Sequence, residues 1–371
     1  MRSIVPAPIA RQPWEVLLPL MALVGFGAAV LDSAAGGEFD KFALSHLVRF
    51  AVFLAMASVM ALFAREFVRF VAYPVYVVII LLLIAVEAIG FAGGGAQRWI
   101  DLGIIVLQPS ELMKPAVALA LARFYSDLPA GMVPTWRALV PAGAIIGVPV
   151  ALVMLQPDLG TSLAIAFGGV CVMFLAGLPL RWFLAGAGAA AVAAPLAFFF
   201  LLHDYQRNRV FTFLDPESDP LGTGYHITQS KIAIGSGGLT GKGFGEGSQS
   251  HLNYLPEPET DFVFATMAEE WGLLGGLFVL TVFFLILRWG WRVALASSDR
   301  FARLLAGGMV AAMFFYAAIN LSMVMGLAPV VGIPLPFMSH GGSSMMTNMI
   351  CLGTLLMINR WNRSGGRRAL A

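Results

Sequence analysis

The chain has 371 residues, of which 59% are hydrophobic and 12% charged, with a net charge of +2. Soluble domains carry about 45–50% apolar and about 25% charged residues, so this composition excludes a soluble fold. No basic cluster is dense enough for nucleic acid, which excludes that partner as well.

A helix that crosses hydrocarbon needs about 20 mostly apolar residues, because lipid offers the backbone no hydrogen-bond partner. Runs of that size recur near 15–32, 45–64, 70–91, 110–124, 138–155, 161–179, 183–202, 263–288, 304–325 and 342–359. The expected fold is an all-α polytopic membrane protein of about ten transmembrane helices, a single membrane domain over 1–371. One long extracytoplasmic loop, 203–262, separates spans seven and eight.

Orientation follows from lysine and arginine, which concentrate in cytoplasmic loops. With the N-terminus inside, fifteen of the 23 basic residues, from Arg2 to Arg368, fall on the inner side. Lys41, Arg49, Arg98, Lys114, Arg207, Arg209, Lys231 and Lys242 fall in or beside outer loops. Both termini are therefore expected in the cytoplasm. Ser33-Ala34-Ala35 offers small residues for signal cleavage, but losing the first run would strand Arg65 and Arg69 on the wrong side. Cys171 and Cys351 lie inside spans and read as small apolar fillers, with no disulfide framework.

Counting spans gives each polar motif a side, and five unusual stretches share the outer one. They are Gly93 to Trp99, Gln108-Pro109-Ser110-Glu111, Gln156-Pro157-Asp158, the loop from His203 to Asp261, and Pro336 to Ser344. A connection of about 60 residues among short loops is the place to expect function. Within it, Tyr225 to Ile234 mixes apolar and polar residues as a short interfacial helix does. The glycine-rich run Gly235 to Gly245 invites a phosphate-loop reading, but the Walker spacing fails: position 236 is Ser and position 243 is Gly. Its glycines read as turn chemistry that can also bring backbone close to a lipid-linked phosphate.

Charges inside spans are costly and persist when paired or functional. Glu111 and Lys114, at i and i+3, share a helix face; the pair is either a scaffold ion pair or a substrate contact. Glu87 sits inside span three without a local partner. Asp158 follows a proline at the end of span five, as an outer turn residue or a site residue. Asp261 closes Leu255 to Asp261 and precedes an apolar run, a position that suits helix capping by Thr260 or Asp261 as well as a general base. Residue chemistry leaves Asp261, Glu257 and Glu259 as alternatives for that base.

Taken together, Arg98-Trp99-Ile100, Gln108 to Lys114, Gln156 to Thr161, Thr223 to Gly243, Leu255-Pro256-Glu257 with Thr260 to Phe264, and Gly341 to Ser344 resemble the SEDS family. The match covers nearly the whole chain. His226 to Gly238 looks like the RodA branch of cell elongation more than the division or sporulation branches. His340 stands where many members carry Tyr, and Asn253 where many carry an acidic residue.

The resemblance implies a ten-span peptidoglycan glycosyltransferase that polymerises lipid II on the outer leaflet, with Asp261 as the essential residue. The reaction joins a sugar hydroxyl to an anomeric carbon bearing polyprenyl diphosphate. Diphosphate already leaves well, so one base suffices and the paired carboxylates of glycosidases are not needed. Charge growing on the diphosphate calls for cations, of which Arg98 and Arg209 lead because guanidinium fits phosphate as a fork. Lys114, Arg207, Lys231 and Lys242 are further cations on this face, and Glu111, Asp158, Glu257, Ser343 and Ser344 complete the expected substrate-binding set. A divalent cation such as Mg or Mn is an alternative source of charge, although no metal-ligand spacing is recognisable.

Implied partners are a class B penicillin-binding protein, docked through transmembrane helices, lipid II, polyprenyl-diphosphate-linked glycan and the elongation machinery. The implied location is the bacterial cytoplasmic membrane. The rival readings are a lipid II transporter, suggested by the short repeat of Gln-Pro at 108 and 156, and a non-catalytic scaffold.

Overall fold

A computed structural model describes residues 12–368 except 94–95, 102, 104–105, 201–206, 208–210, 214, 216–222, 253 and 256. Ten long helices overlie the ten apolar runs. They are α1 (Trp14–Ala34), α2 (Ala43–Met60), α3 (Arg65–Ile89), α4 (Pro109–Asp127), α5 (Trp136–Leu155), α6 (Leu159–Leu175), α7 (Leu180–Phe200), α10 (Val263–Leu295), α11 (Arg300–Val324) and α12 (Gly342–Arg368). Seven of them, α1, α2, α3, α5, α7, α10 and α11, are long and apolar enough to cross a membrane. Helix α6 is apolar but only 17 residues long. Helices α4 and α12 are diluted by charged and polar residues such as Glu111, Lys114, Ser343 and Asn348. The chain is thus a multi-pass membrane protein.

The outward surfaces confirm the solvent these helices were built for. Phe70 is 71% exposed and Phe200 80%, positions that only lipid accommodates at such density. Helix α11 is the centre of the bundle, packed on α4, α6, α10 and α12 and the most enclosed of the apolar helices. Helices in lipid approach through small residues. Gly353 of α12 illustrates this, since a Cβ there would stand 2.9 Å from the Ala57 Cα of α2. Helix α7 lies at the periphery, with none of its apolar window buried.

Three short strands follow α3: β1 (Phe91–Gly93), β2 (Ala96–Asp101) and β3 (Val106–Leu107), antiparallel in the order β1-β2-β3. The loop between α7 and α10 contains helix α8 (Thr223–Ser236), the expected short helix, and the single turn α9 (Ser248–His251). Ile227, Ser230 and Ala233 of α8 are buried against α10 and α11.

The glycine-rich run plays a part that its turn-forming composition did not announce. Helix α10 breaks at Gly272, where φ is 60° and ψ −154°. The helix carbonyls of Glu269 and Glu270 would normally accept from the amides of Leu273 and Leu274. Instead they accept from Lys242 and Gly243, while Leu273 and Leu274 donate to the carbonyls of Gly238 and Leu239. The loop backbone therefore takes up all four groups that the break releases, as buried backbone requires. Only glycine permits the approach: a Cβ on Gly241 would lie 2.0 Å from the Glu270 carbonyl oxygen.

Candidate functional site

Asp261 sits at the mouth of α10, between two loops that are stitched together. The Asn320 side chain, near the C-terminal end of α11, donates to the carbonyl of Asp261 at 2.9 Å and to that of Ile333 at 2.7 Å. Ser339 donates from Oγ to the Thr260 carbonyl at 2.6 Å, and the His340 amide donates to the Glu259 carbonyl at 2.8 Å. Three consecutive carbonyls of the 259–261 segment are thereby fixed by residues from α11 and the 326–341 segment. The Asp261 carboxylate faces Gly332, whose Cβ position would be 3.5 Å from Oδ2, so the missing side chain leaves space beside the carboxylate.

Thr260 does not serve as the cap. The N-cap position of α10 is Phe262, without a side-chain cap. Thr260 instead donates to Glu257 Oε2 at 3.1 Å. Glu257 is exposed, in a left-handed conformation at φ 43°, and Glu259 is engaged through its carbonyl.

The two Gln-Pro motifs meet in space. Asp158 caps α6, accepting from the Thr161 amide at 3.0 Å, and its other oxygen accepts from Gln108 Nε2 at 3.1 Å. Arg98, on β2, donates to the carbonyls of Gln156 at 3.0 Å and Pro157 at 2.5 Å. Arg98 and Asp158 thus brace the turn between α5 and α6. That turn also abuts the Asp261 region, because a Cβ on Gly160 would lie 2.9 Å from the Val331 carbonyl oxygen, next to Gly332.

One turn below Asn320, Tyr316 meets the α4 pair. Lys114 Nζ donates to Glu111 Oε1 and to the Tyr316 hydroxyl, each at 2.5 Å, and that hydroxyl donates to Glu111 Oε2. Lys114 and Glu111 are 3% and 6% exposed, so the three groups form a closed buried triad. Around Leu112 and Pro115 of α4, a cavity of about 400 Å³ opens between α2, α3, α4, α11 and α12, with nearly all-carbon walls that include Phe67, Val75 and Met309.

The remaining expected residues scatter. Lys242 Nζ binds the buried Glu269 at 2.5 Å and Ser248 Oγ at 2.8 Å, which ties the loop to the α10 break. Lys231 is exposed on α8 and passes over Gly326, just beyond the end of α11, a helix end that attracts cations. Ser343 donates to the Val106 carbonyl of β3 at 3.3 Å, and Ser344 is buried beside it. Arg209 and Asn253 lie outside the described residues. Glu87 is exposed two residues from the end of α3, not within the bundle. Among the described residues, no group of three or more His, Cys, Asp or Glu side chains is placed to hold a metal.

Sequence reasoning missed Asn320, Ser339, Tyr316 and Glu269, all 3% exposed or less. A polar residue recurring inside an apolar run was the available signal for Asn320 and Glu269. Nothing in the sequence pairs Ser339 with Thr260.

The FTSW_RODA_SPOVE family of cell cycle proteins matches residues 14–364. The peptidoglycan glycosyltransferase MrdB of Escherichia coli K12 is 46% identical over 348 residues, covering 93% of this chain and 92% of the relative. A solved chain of a peptidoglycan synthase complex that coordinates polymerization and crosslinking superposes with a TM-score of 0.82 at 32% identity, over 95% of this chain and 98% of that one. The rod shape determining protein RodA of Thermus thermophilus superposes with a TM-score of 0.70 at 30% identity, over 94% and 97%. With motifs, fold and relatives in agreement, the chain belongs to the FtsW, RodA and SpoVE family, on its RodA side.

Proposed function

We propose that this protein is a peptidoglycan glycosyltransferase that polymerises lipid II on the outer face of the bacterial cytoplasmic membrane during cell elongation, with Asp261 as general base. The observation that carries the role of Asp261 is its setting: a carboxylate beside the space left by Gly332, on a backbone segment whose carbonyls are fixed by Asn320, Ser339 and His340. A base so mounted is pre-organised, which is where catalytic geometry gains most. Asp261 takes the proton of the acceptor 4-hydroxyl as its oxygen bonds to the anomeric carbon and the bond to diphosphate breaks.

Both substrates keep their polyprenyl tails in the bilayer. The apolar cavity beside α4 offers a lateral wall for such a tail. In this reading both termini are cytoplasmic and the Asp261 loop faces the side where lipid-linked sugars are joined, which the bias of Lys and Arg toward the inner loops supports. A class B penicillin-binding protein is the fitting partner, since a relative was solved within a complex that couples polymerization to crosslinking.

The test is glycan synthesis by purified protein given lipid II and its transpeptidase partner, run beside flipping of a labelled lipid in vesicles. Polymer without flipping is expected. Flipping without polymer supports the transporter instead.

A further inference from the structure

The bundle carries a second cavity at the end remote from Asp261. It measures about 580 Å³ and lies between the entry to α1, the end of α2 and the last turns of α12, with Gln12, Ser58, Leu62, Asn359, Arg360 and Arg363 among its walls. Arg360 stands 18 residues beyond Gly342 on α12, about 27 Å along the helix axis at about 1.5 Å per residue. The two helix ends meet because α12 staples α2. Arg360 donates from Nη1 to the Ala61 carbonyl at 3.3 Å, and Trp361 from Nε1 to the Phe63 carbonyl at 3.0 Å. Both carbonyls lie just past Met60, where α2 no longer supplies donors.

Charge at this end of the bundle is lopsided. Its acidic side chains among the described residues are Glu15, Glu66, Asp127 and Asp299, and each is already matched. Glu15 meets Arg292 at 3.0 Å, Glu66 meets Arg65 at 3.6 Å, Asp127 meets Arg69 and, at 3.3 Å, Arg123, and Asp299 meets Arg65 at 3.8 Å. None of these carboxylates lines the cavity. Arg360 makes one hydrogen bond among the described residues, which occupies one of the five N–H groups of a guanidinium. The flanking sequence at 1–11 and 365–371 adds Arg2, Arg11, Arg367 and Arg368 and no acidic side chain. Counter-charge for the cavity is therefore best supplied by another molecule.

The walls select the kind of molecule. Leu62 is exposed beside the arginines, and Val52, Ala55 and Val59, spaced i, i+3 and i+7, present an exposed apolar strip that leads away from them along α2. A soluble anion has no use for that strip. An anionic phospholipid uses both parts, since basic pockets between membrane helices take the headgroup while the chains stay in the bilayer.

We propose that Arg360 and Arg363 hold the phosphate of an anionic phospholipid of the inner leaflet, with Asn359 and Ser58 as further hydrogen-bonding groups and the acyl chains along α2. The leaflet rests on the topology proposed above, whereas the site rests on the cavity and its charges. The bound lipid bridges the ends of α2 and α12, reinforcing the two staples between them, and stabilises the folded protein as any ligand of the native state does.

The test follows phosphatidylglycerol on the full chain in micelles of an uncharged detergent, by native mass spectrometry and thermal melting, with phosphatidylcholine as the control of zero net charge. The parent is expected to retain phosphatidylglycerol preferentially and to melt higher with it than with phosphatidylcholine. A basic residue beside an anionic headgroup is worth about fivefold in binding, so the double variant Arg360→Gln with Arg363→Gln is expected to bind about 25-fold more weakly. Asn359→Asp guards against a folding defect, because it leaves the Arg360 bond to Ala61 in place and puts on the cavity wall the charge that the lipid would bring. This variant is expected to melt with the parent in phosphatidylcholine and to lose the rise that phosphatidylglycerol gives. Parental retention of phosphatidylglycerol in both variants, or an equal rise in melting temperature from inorganic phosphate, overturns the proposal. Micelles have no sides, so labelling of the exposed Ser298→Cys in sealed vesicles tests the topology separately: labelling from outside refutes the leaflet, and parental binding in the variants refutes the site.

Discussion

Replacing Lys114 by Met asks whether the α4 triad belongs to the scaffold. The substitution leaves the buried Glu111 carboxylate with the Tyr316 hydroxyl as its remaining side-chain partner among the described residues. Breaking a buried pair from one side costs about 3–5 kcal/mol, whereas replacing both members with apolar groups of similar size is often close to neutral. The surviving hydroxyl bond retains about 1.5–3 kcal/mol of charged hydrogen bonding, which moves the expected loss for Lys114→Met to the lower end, about 3 kcal/mol. The double variant Glu111→Leu with Lys114→Met is expected within about 1 kcal/mol of the parent. Reversible unfolding in mixed micelles, followed by tryptophan fluorescence on parent, both single variants and the double, closes a cycle whose coupling isolates the pair. Additive losses, or a Lys114→Met protein as stable as the parent, refute the scaffold role and return the pair to the substrate site.

Asn320→Ala removes two hydrogen bonds and leaves the Asp261 and Ile333 carbonyls without that donor, at about 1–3 kcal/mol each if neither finds water. Polymerisation is expected to fall at least tenfold in kcat while lipid II KM changes little, measured by initial rates. Gly241→Ala places a Cβ against the Glu270 carbonyl at φ 81°, with at least about 2 kcal/mol of strain expected and faster hydrogen exchange at the Leu273 and Leu274 amides. Gly235→Ala, with open space around its Cβ, is expected to leave that exchange unchanged. For His340, a folded pKa of about 4 against an ordinary 6.5 means that the unfolded chain holds more protons between those values. Stability is therefore fully present above about pH 6.5 and falls as pH drops toward 4, and His340→Gln is expected to flatten part of that slope in thermal melts at stepped pH.

The helices were legible because lipid imposes length and apolarity on each crossing, a constraint that seven of the ten helices meet in full. Tertiary exchanges were not. The break at Gly272 is invisible to a reading of α10 alone, since its released backbone groups are satisfied by Gly238 to Gly243, some 30 residues earlier. The same limit explains why Lys242, expected beside phosphate, instead neutralises Glu269. Asp158 and Arg98 were singled out as polar residues expected on one face, and in the structure their partners include a helix end and a turn of this chain.

The central claim is that one carboxylate, held between α10 and α11, performs the transfer. The most direct measurement is glycan polymer formed from lipid II by Asp261→Ala in complex with its transpeptidase partner, with melting temperature checked against the parent. A folded protein that makes no polymer is the predicted result. A folded Asp261→Ala protein that polymerises at the parental rate contradicts it.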